Sequence, residues 1–354
     1  MENLDLMVLR ALHDWRAAGQ HALLATVART WGSSPRPVGS IMALCASGAV
    51  VGSVSGGCVE DDLVHQYSGL YRKEENSGAP DWAGAAPRRA RYGITADEAH
   101  RFGLPCGGTL ELVLEFDPDP AQLAELLTLL EAGRLVNRIT DLATGATRLE
   151  PVAVPSAFAV DDATLVNTFG PEYRMLIIGA GQLSEYLATM ALFNGFAVTV
   201  CDPRDEYSGN WSVPRVTLSK EMPDDLVLAF KPDRRTCVVA LTHDPKLDDL
   251  ALLEALSTEA FYVGAIGSRK NNQARRERMI EHFGKSEEEL ARLRGPIGIF
   301  IGSKTPPEIA VSIMAEILAV KNNVTLPQAM QVAAAKEGLA IQANDPGGLV
   351  CARD

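Results

Sequence analysis

The sequence predicts an α/β protein whose C-terminal half is a doubly wound parallel sheet and whose N-terminal half is a separate mixed α/β domain. In the second half, short apolar runs alternate with helical segments, which is the pattern of a parallel sheet covered by helices on both faces. The first half contains β-rich segments without this regular alternation. The chain has 354 residues, which is too long for one ordinary hydrophobic core.

The predicted domain boundaries follow changes in composition along the chain. Residues 1–150 form the N-terminal mixed domain, and residues 151–172, which contain Pro and Ala without periodicity, are predicted as a linker. Residues 173–323 form the doubly wound domain, and residues 324–354 are predicted as one more helix and an irregular tail. Residues 72–91 are rich in Gly, Ala, Pro and charge and are predicted as a surface loop.

The individual elements are predicted from apolar periodicity and from turn residues. In the first half the expected helices cover residues 3–19, 59–71 and 121–132, and the expected strands cover residues 23–28, 40–45, 50–54 and 109–116. In the second half the expected strands cover residues 176–178, 197–201, 237–241, 261–266 and 297–301.

Composition and charge exclude several function classes. The chain is 47% hydrophobic and 22% charged, as globular proteins are. Its net charge of −12 disfavours nonspecific binding to nucleic acid or to an anionic membrane. No apolar run reaches the ~20 residues that span a bilayer, and no signal peptide is recognisable at Met1. The six cysteines lack CxxC spacing, so we expect a cytoplasmic protein with free thiols.

A glycine motif follows the first predicted strand of the second half. Gly179 permits a tight turn, and Gly181 lets a phosphate approach the amides at the start of the next helix. Asp202 ends the following strand about 20 residues on, where an acid binds ribose hydroxyls in dinucleotide-binding (Rossmann) domains. Arg204 could instead serve a 2′-phosphate, so NAD and NADP are not distinguished. The alternative is a Rossmann scaffold that has lost its nucleotide.

Two further strand ends carry polar residues at the edge where α/β sheets bind ligands. His243, between Thr242 and Asp244, is a candidate proton relay. Alternatively, Thr242 and Asp244 cap the next helix and His243 fills the crevice wall. Ser268 and Arg269 follow another glycine turn and are candidates for binding an anion. The helix after this turn carries three arginines that either help to bind an anion or form a solvated charged face: Arg275, Arg276 and Arg278.

The first half holds two glycine-flanked cysteines. Cys58 follows Gly56-Gly57 at a predicted helix N-terminus, where main-chain donors favour the thiolate, and Cys106 precedes two glycines at a strand start. Open thiols suit a soft metal or a sulfur carrier. The alternative is that each cysteine is buried as a small hydrophobe. Ser33 and Arg36 lie in a polar turn after a strand and are candidate binding residues.

Taken together, these segments resemble the xanthine dehydrogenase accessory factor family (XdhC/CoxI type). The resemblance runs from about Leu23 to Lys321, and the string from Gly52 to Glu60 is long enough to be specific. The chain departs from the family pattern in the tail, in the 72–91 loop and at Ser184. The matching segments are residues 32–36, 52–60, 104–108, 178–181, 202–204, 242–245, 262–269 and 296–317.

The resemblance implies an accessory protein and not an enzyme that turns over a substrate. Members of this family are thought to bind molybdenum cofactor (molybdopterin), to support its sulfuration with a cysteine desulfurase, and to deliver it to a molybdenum hydroxylase of the xanthine dehydrogenase type. In such a role Cys58 and Cys106 would contact the molybdenum or its sulfur. The helix N-termini of the second domain would hold a pterin phosphate or a nucleotide.

Two other functions remain open at the level of sequence. One is an NAD(P)-dependent oxidoreductase in which Gly179, Gly181 and Asp202 bind the nucleotide and His243 transfers protons. The other is a docking module for the hydroxylase whose pockets bind nothing. The size of the two-domain chain is compatible with a homodimer.

Overall fold

The protein folds into two compact units, the first ending at Glu172 and the second beginning at Tyr173. The first unit contains antiparallel sheets and the second a six-stranded parallel sheet, which confirms the predicted fold class. The computed structural model describes residues 4–31, 36–68, 82, 84–93 and 109–336. Over these residues, no helix has the length and apolar character needed to cross a membrane.

The first unit consists of two antiparallel sheets and the helices that cover them. The helices are α1 (Leu4–Ala17), α2 (Cys58–Tyr67) and α3 (Pro120–Glu131). The first sheet has the order β3-β2-β1-β5-β4, with β1 (Ala22–Trp31), β2 (Ile41–Cys45), β3 (Val50–Gly52), β4 (Arg88–Tyr92) and β5 (Thr109–Phe116). The second has the order β7-β6-β9-β8, with β6 (Leu135–Asp141), β7 (Thr147–Val152), β8 (Ala159–Val160) and β9 (Thr164–Phe169).

Strand β1 is buried over most of its length because both faces of the first sheet are covered. Successive side chains of a strand point to opposite faces. Leu23 therefore packs in one apolar cluster with Leu63 of α2, and Leu24 packs in another with Leu12 of α1 and Leu126 of α3. The N-terminal half thus has two hydrophobic layers around one sheet.

Two segments of the first unit differ from the predictions. The predicted linker 151–172 is wrong, because it contains β8 and β9, and β9 pairs with β6 along its whole length. Part of the predicted 72–91 loop is strand β4, which pairs with β5. There Arg89 and Arg91 each bind the fully buried Glu111 at 2.8 Å. The arginine charges, which suggested an exposed loop, therefore neutralise the buried carboxylate of Glu111.

The second unit is a parallel sheet with helices on both faces. Its strands are β10 (Tyr173–Ile178), β11 (Phe196–Cys201), β12 (Thr217–Ser219), β13 (Thr236–Ala240), β14 (Tyr262–Ala265) and β15 (Leu293–Arg294). Its helices are α4 (Gln182–Phe193), α5 (Asp205–Ser208), α6 (Pro223–Phe230), α7 (Pro245–Leu256), α8 (Arg269–Phe283) and α9 (Pro306–Lys321).

The strand order β12-β11-β10-β13-β14-β15 places a topological switch point beside β10. The chain builds outward from β10 to β12 and then returns to the other side of β10 with β13. The carboxyl ends of the central strands meet there, since the Leu241 amide donates to the Ile178 carbonyl at 2.8 Å and the Gly179 amide to the Cys201 carbonyl at 2.7 Å. Open α/β sheets bind their ligands at such a point.

The last strand of the sheet lies earlier than the sequence predicts. Residues 297–301 form no strand, and β15 at Leu293–Arg294 pairs with β14 instead. Pro296 has no amide to donate to a strand partner. Gly298, with φ +97°, approaches α9 so closely that a Cβ there would collide with the Ser312 side chain. In the C-terminal segment the structure shows a 3₁₀ turn at Gln328–Met330, and residues 337–354 of the predicted tail lie outside the described residues.

A buried ion pair joins the two sheets of the first unit. Arg138 on β6 donates to both carboxylate oxygens of Glu115 on β5, at 2.9 and 2.8 Å, and both side chains are 4% exposed. The Thr140 hydroxyl adds a bond to the same carboxylate at 3.0 Å. Because both side chains are buried, the hydrogen bonds between Arg138 and Glu115 replace those that each charge would make with water.

We predict that Arg138→Met lowers the free energy of unfolding by about 3–5 kcal/mol, because it leaves Glu115 buried without its cation. The exposed pair Arg10–Glu131 provides the control, and Arg10→Ala should cost less than about 1 kcal/mol. Urea unfolding followed by tryptophan fluorescence measures both. Equal costs for the two variants would contradict the structural role of the pair.

Candidate functional site

The glycine loop before α2 is folded around the carboxylate of Glu60. The side chain accepts six hydrogen bonds, and those from the four main-chain amides are 2.8–2.9 Å long. Gly56 has φ +95°, a conformation that side-chain-bearing residues rarely adopt. The donors are the amides of Val54, Ser55, Gly56 and Gly57 and the hydroxyls of Ser53 and Ser55.

These hydrogen bonds determine the ionisation of Glu60. Burial by itself raises the pKa of the carboxyl, but the hydrogen bonds from Ser55, Gly56 and Ser53 outweigh it and lower the pKa to about 2. Glu60 is therefore ionised across the physiological range. It serves as the internal anion around which the loop is ordered.

Cys58 is the first residue of α2, and it is exposed. The amides of residues 54–57, which precede it, all donate to Glu60. Arg36 reaches the same loop, with its Nε 3.4 Å from the Ser53 hydroxyl. The structure thus brings Arg36, Cys58 and Glu60 to one loop.

Two residues that the sequence assigns to this site, Ser33 and Cys106, lie outside the described residues. The site of the first unit therefore rests on Arg36, Cys58 and Glu60. In the part of the chain that the structure covers, no three His, Cys, Asp or Glu side chains are arranged to hold a metal ion.

In the second unit, the glycine motif lies at the switch point. Gly179 has φ +107°, and a Cβ there would lie 2.9 Å from the methyl group of Thr242. Only glycine allows the ends of β10 and β13 to approach so closely. The next amide, that of Ala180, donates to Asp202 at 2.9 Å, and Gly181 is the N-cap of α4. The predicted residues Gly179, Gly181 and Asp202 therefore lie together.

Asp202 and Arg204 form a bidentate ion pair. Arg204 Nε and Nη2 each lie 2.9 Å from a carboxylate oxygen, and Asp202 is fully buried. Burial raises the pKa of Asp202, but the hydrogen bonds from Arg204 and Ala180 prevail and lower it. The hydrogen bonds to Asp202 raise the pKa of Arg204. Its guanidinium lies 4.1 Å from the Tyr207 ring centroid.

His243 follows strand β13, in the left-handed conformation with φ +62°, and its side chain is exposed. Asp244 is the N-cap of α7 and accepts from the Lys246 amide at 2.9 Å, which confirms the capping role considered for it. The Thr242 hydroxyl donates to Asp248 at 2.6 Å. His243 thus projects from a rigid turn and does not fill a buried wall, so its role as a proton relay stays a prediction.

The basic helix α8 is mostly structural. Ser268 is its N-cap and accepts from the Asn271 amide at 3.1 Å, and Arg269 is exposed at its first residue. The arginines expected either to help bind an anion or to form a solvated face instead bind protein groups. Arg275 is buried against Asp248 and Asp249, Arg278 binds Asp249 at 2.6 Å, and Arg276 binds Glu287 and the Leu290 carbonyl.

Two roles in these sites were missed from the sequence, one in each unit. The role of Glu60 as the centre of its loop has a sequence signal, since Gly57 at the N-cap and Glu60 three residues later have the spacing of a capping box. The packing of Tyr207 on Arg204 has no such signal in the sequence.

The parallel sheet and its glycine turn define the second unit as a Rossmann-type domain. The family of XdhC Rossmann domains matches residues 175–317, and the XdhC and CoxI family matches residues 15–77. These two matches confirm the resemblance to the XdhC/CoxI type that the sequence motifs indicated.

Two relatives and one solved structure are similar to this chain over most of its length. The chain is 26% identical to the molybdenum cofactor insertion chaperone PaoD of Escherichia coli K12, over 89% of this chain and 88% of the relative. It is 25% identical to a protein of Bacillus subtilis 168 described as a probable xanthine dehydrogenase subunit, over 92% and 100%. A crystal structure of a xanthine dehydrogenase from Bacillus halodurans shares the fold, with a TM-score of 0.67 and 24% identity over 95% and 99% of the two chains.

We predict that Glu60→Gln destabilises the protein at neutral pH, because the amides of the loop lose a charged acceptor. The folded-state pKa of about 2 lies below the ordinary value of 4.5. The stabilising contribution of Glu60 is therefore complete above pH 4.5 and is lost as the pH falls through about 2.

Urea unfolding at several pH values measures this effect. The difference in free energy of unfolding between the native chain and Glu60→Gln should be constant above about pH 5 and shrink toward pH 2. Glu125→Gln, at an exposed position on α3, provides the control. A difference that does not change with pH would argue against Glu60 as the ionised centre of the loop.

Proposed function

We propose that this chain binds the molybdenum cofactor and takes part in its maturation and insertion into a molybdenum hydroxylase of the xanthine dehydrogenase type. The observation that carries the proposal is the exposed Cys58 thiol, at the end of an ordered glycine loop that also holds Arg36. The similarity to a molybdenum cofactor insertion chaperone over most of both chains supports it.

The chemistry of the loop suits this cargo. Thiolates are soft ligands, and a thiol flanked by glycines is sterically open to a bulky molybdenum centre. In this proposal Cys58 contacts the molybdenum or its sulfur, with Cys106 as a second thiol. Arg36 and Ser33 bind the polar edge of the pterin or its phosphate, since Arg provides planar, bidentate donors.

The second unit contributes further binding groups in this proposal. Amides at a helix N-terminus bind phosphate, and Gly179 and Gly181 lead into α4 while Ser268 and Arg269 begin α8. We propose that a phosphate of the cofactor is bound at one of these helix starts. Both are at the carboxyl ends of strands in one sheet.

We also propose that the protein has two protein partners. A cysteine desulfurase would supply the sulfur that the cofactor requires, and the hydroxylase would receive the sulfurated cofactor. A homodimer is also compatible with this role. The protein acts here as a carrier, so its cargo is a bound substrate that is passed on.

We predict that the purified chain retains molybdenum cofactor under anaerobic conditions and that Cys58→Ala lowers retention by about tenfold or more, because loss of even a supporting residue of a metal site costs about 10–100-fold in affinity. The measurement is the ratio of molybdenum, and separately of pterin, to protein. Cys106→Ala tests the second thiol, and Cys351→Ala, at a position without an assigned role, is the control.

The outcomes separate the parts of the proposal. Equal cofactor retention in the native chain and Cys58→Ala would contradict the role of the thiol but would not contradict the carrier function. Absence of cofactor from every variant, including the native chain supplied with excess cofactor, would contradict the carrier function itself.

A further inference from the structure

Asp202 lies where Rossmann domains bind the ribose hydroxyls of a dinucleotide, but its carboxylate is already saturated by the protein. Oδ1 accepts from the amide and the Nε of Arg204, at 3.1 and 2.9 Å. Oδ2 accepts from the Ala180 amide and from Arg204 Nη2, both at 2.9 Å. A carboxylate offers about four acceptor positions, so these four donors use them all.

Each member of the ion pair is held in place by a further contact. Asp202 has no exposed surface, and the Ala180 amide ties it to the glycine turn. The Arg204 side chain is 25% exposed and packs on the Tyr207 ring, which holds the guanidinium over the carboxylate. Separation of the pair would leave a buried carboxylate without its cation, which is unfavourable.

From this geometry we propose that Arg204 is a specificity-determining residue that closes the switch-point crevice to nicotinamide dinucleotides. The 2′- and 3′-hydroxyls of NAD(H) find no free acceptor on Asp202. The 2′-phosphate of NADP(H) would meet Arg204, but that cation is already neutralised by the adjacent carboxylate. A ligand of this crevice therefore has no ribose diol at this position.

Asp202 is therefore a positioning residue. It orients the glycine turn through Ala180 and holds Arg204, and it does not touch the ligand. The residues of this chain thus do not fit the dinucleotide that the fold implies, and the NAD(P)-dependent oxidoreductase considered from the sequence loses its ribose-binding acid. Closure of this crevice to dinucleotides does not depend on whether the chain carries molybdenum cofactor.

The test is titration of the full chain with NADH and with NADPH, followed by nucleotide fluorescence. We expect no saturable binding of either nucleotide to the native chain. Arg204→Ala and Arg204→Met remove the donors of the guanidinium, and both should gain saturable NADH binding, because the freed carboxylate oxygens can then accept hydrogen bonds from the ribose hydroxyls. Arg204→Met keeps the aliphatic packing on Tyr207.

Two further variants complete the design. Adding Asp202→Asn to Arg204→Met should abolish the gained NADH binding, because the freed acceptor is then lost. Arg234→Ala, which breaks the exposed pair with Glu259, should bind no nucleotide. Tight NADH binding by the native chain that Asp202→Asn abolishes would overturn the proposal, as would two folded Arg204 variants that bind NADH no better than the native chain.

Discussion

The structure depends on one constraint, which is that a carboxylate removed from water must receive hydrogen bonds from the protein. Glu111 and Glu115 meet it with arginines of neighbouring strands, and Glu115 thereby connects the two sheets of the first unit. Glu60 meets it with four consecutive main-chain amides. Asp202 meets it with Arg204 and with the glycine turn. In each case the fold holds the donors within hydrogen-bonding distance of the carboxylate.

This constraint shapes both candidate regions. In the first unit, Glu60 orders the glycine loop, so that Cys58 begins α2 from a defined position and remains exposed. In the second unit, Asp202 orders the glycine turn and restrains Arg204. Both acids have a lowered pKa and stay ionised near neutral pH. The two loops are therefore preorganised by internal charges, and preorganised sites lose less free energy on binding than sites that must first be ordered.

Much of the fold could be predicted from the sequence because it depends on local patterns. Apolar runs separated by helical segments predicted the parallel sheet, and Gly179 to Gly181 predicted its glycine turn. The errors arose where tertiary partners override local pattern. The segment 151–172 reads as a linker, yet it supplies β9, whose partner β6 lies about 30 residues earlier. The arginines of β4 suggested solvent exposure, and only the structure shows Glu111 beside them.

The sequence by itself determined the candidate site residues: the glycine-flanked Cys58, the turn at Gly179 and the acid Asp202. Residue type and spacing decide these features, and both can be read directly from the amino-acid sequence. Only the tertiary structure decided what those residues are free to do. Glu60 binds the amides of the glycine loop that precedes Cys58, and Arg204 binds the carboxylate expected to serve a ribose. A hydrogen-bond acceptor has a limited number of positions, and which donors fill them depends on distances that only folding establishes.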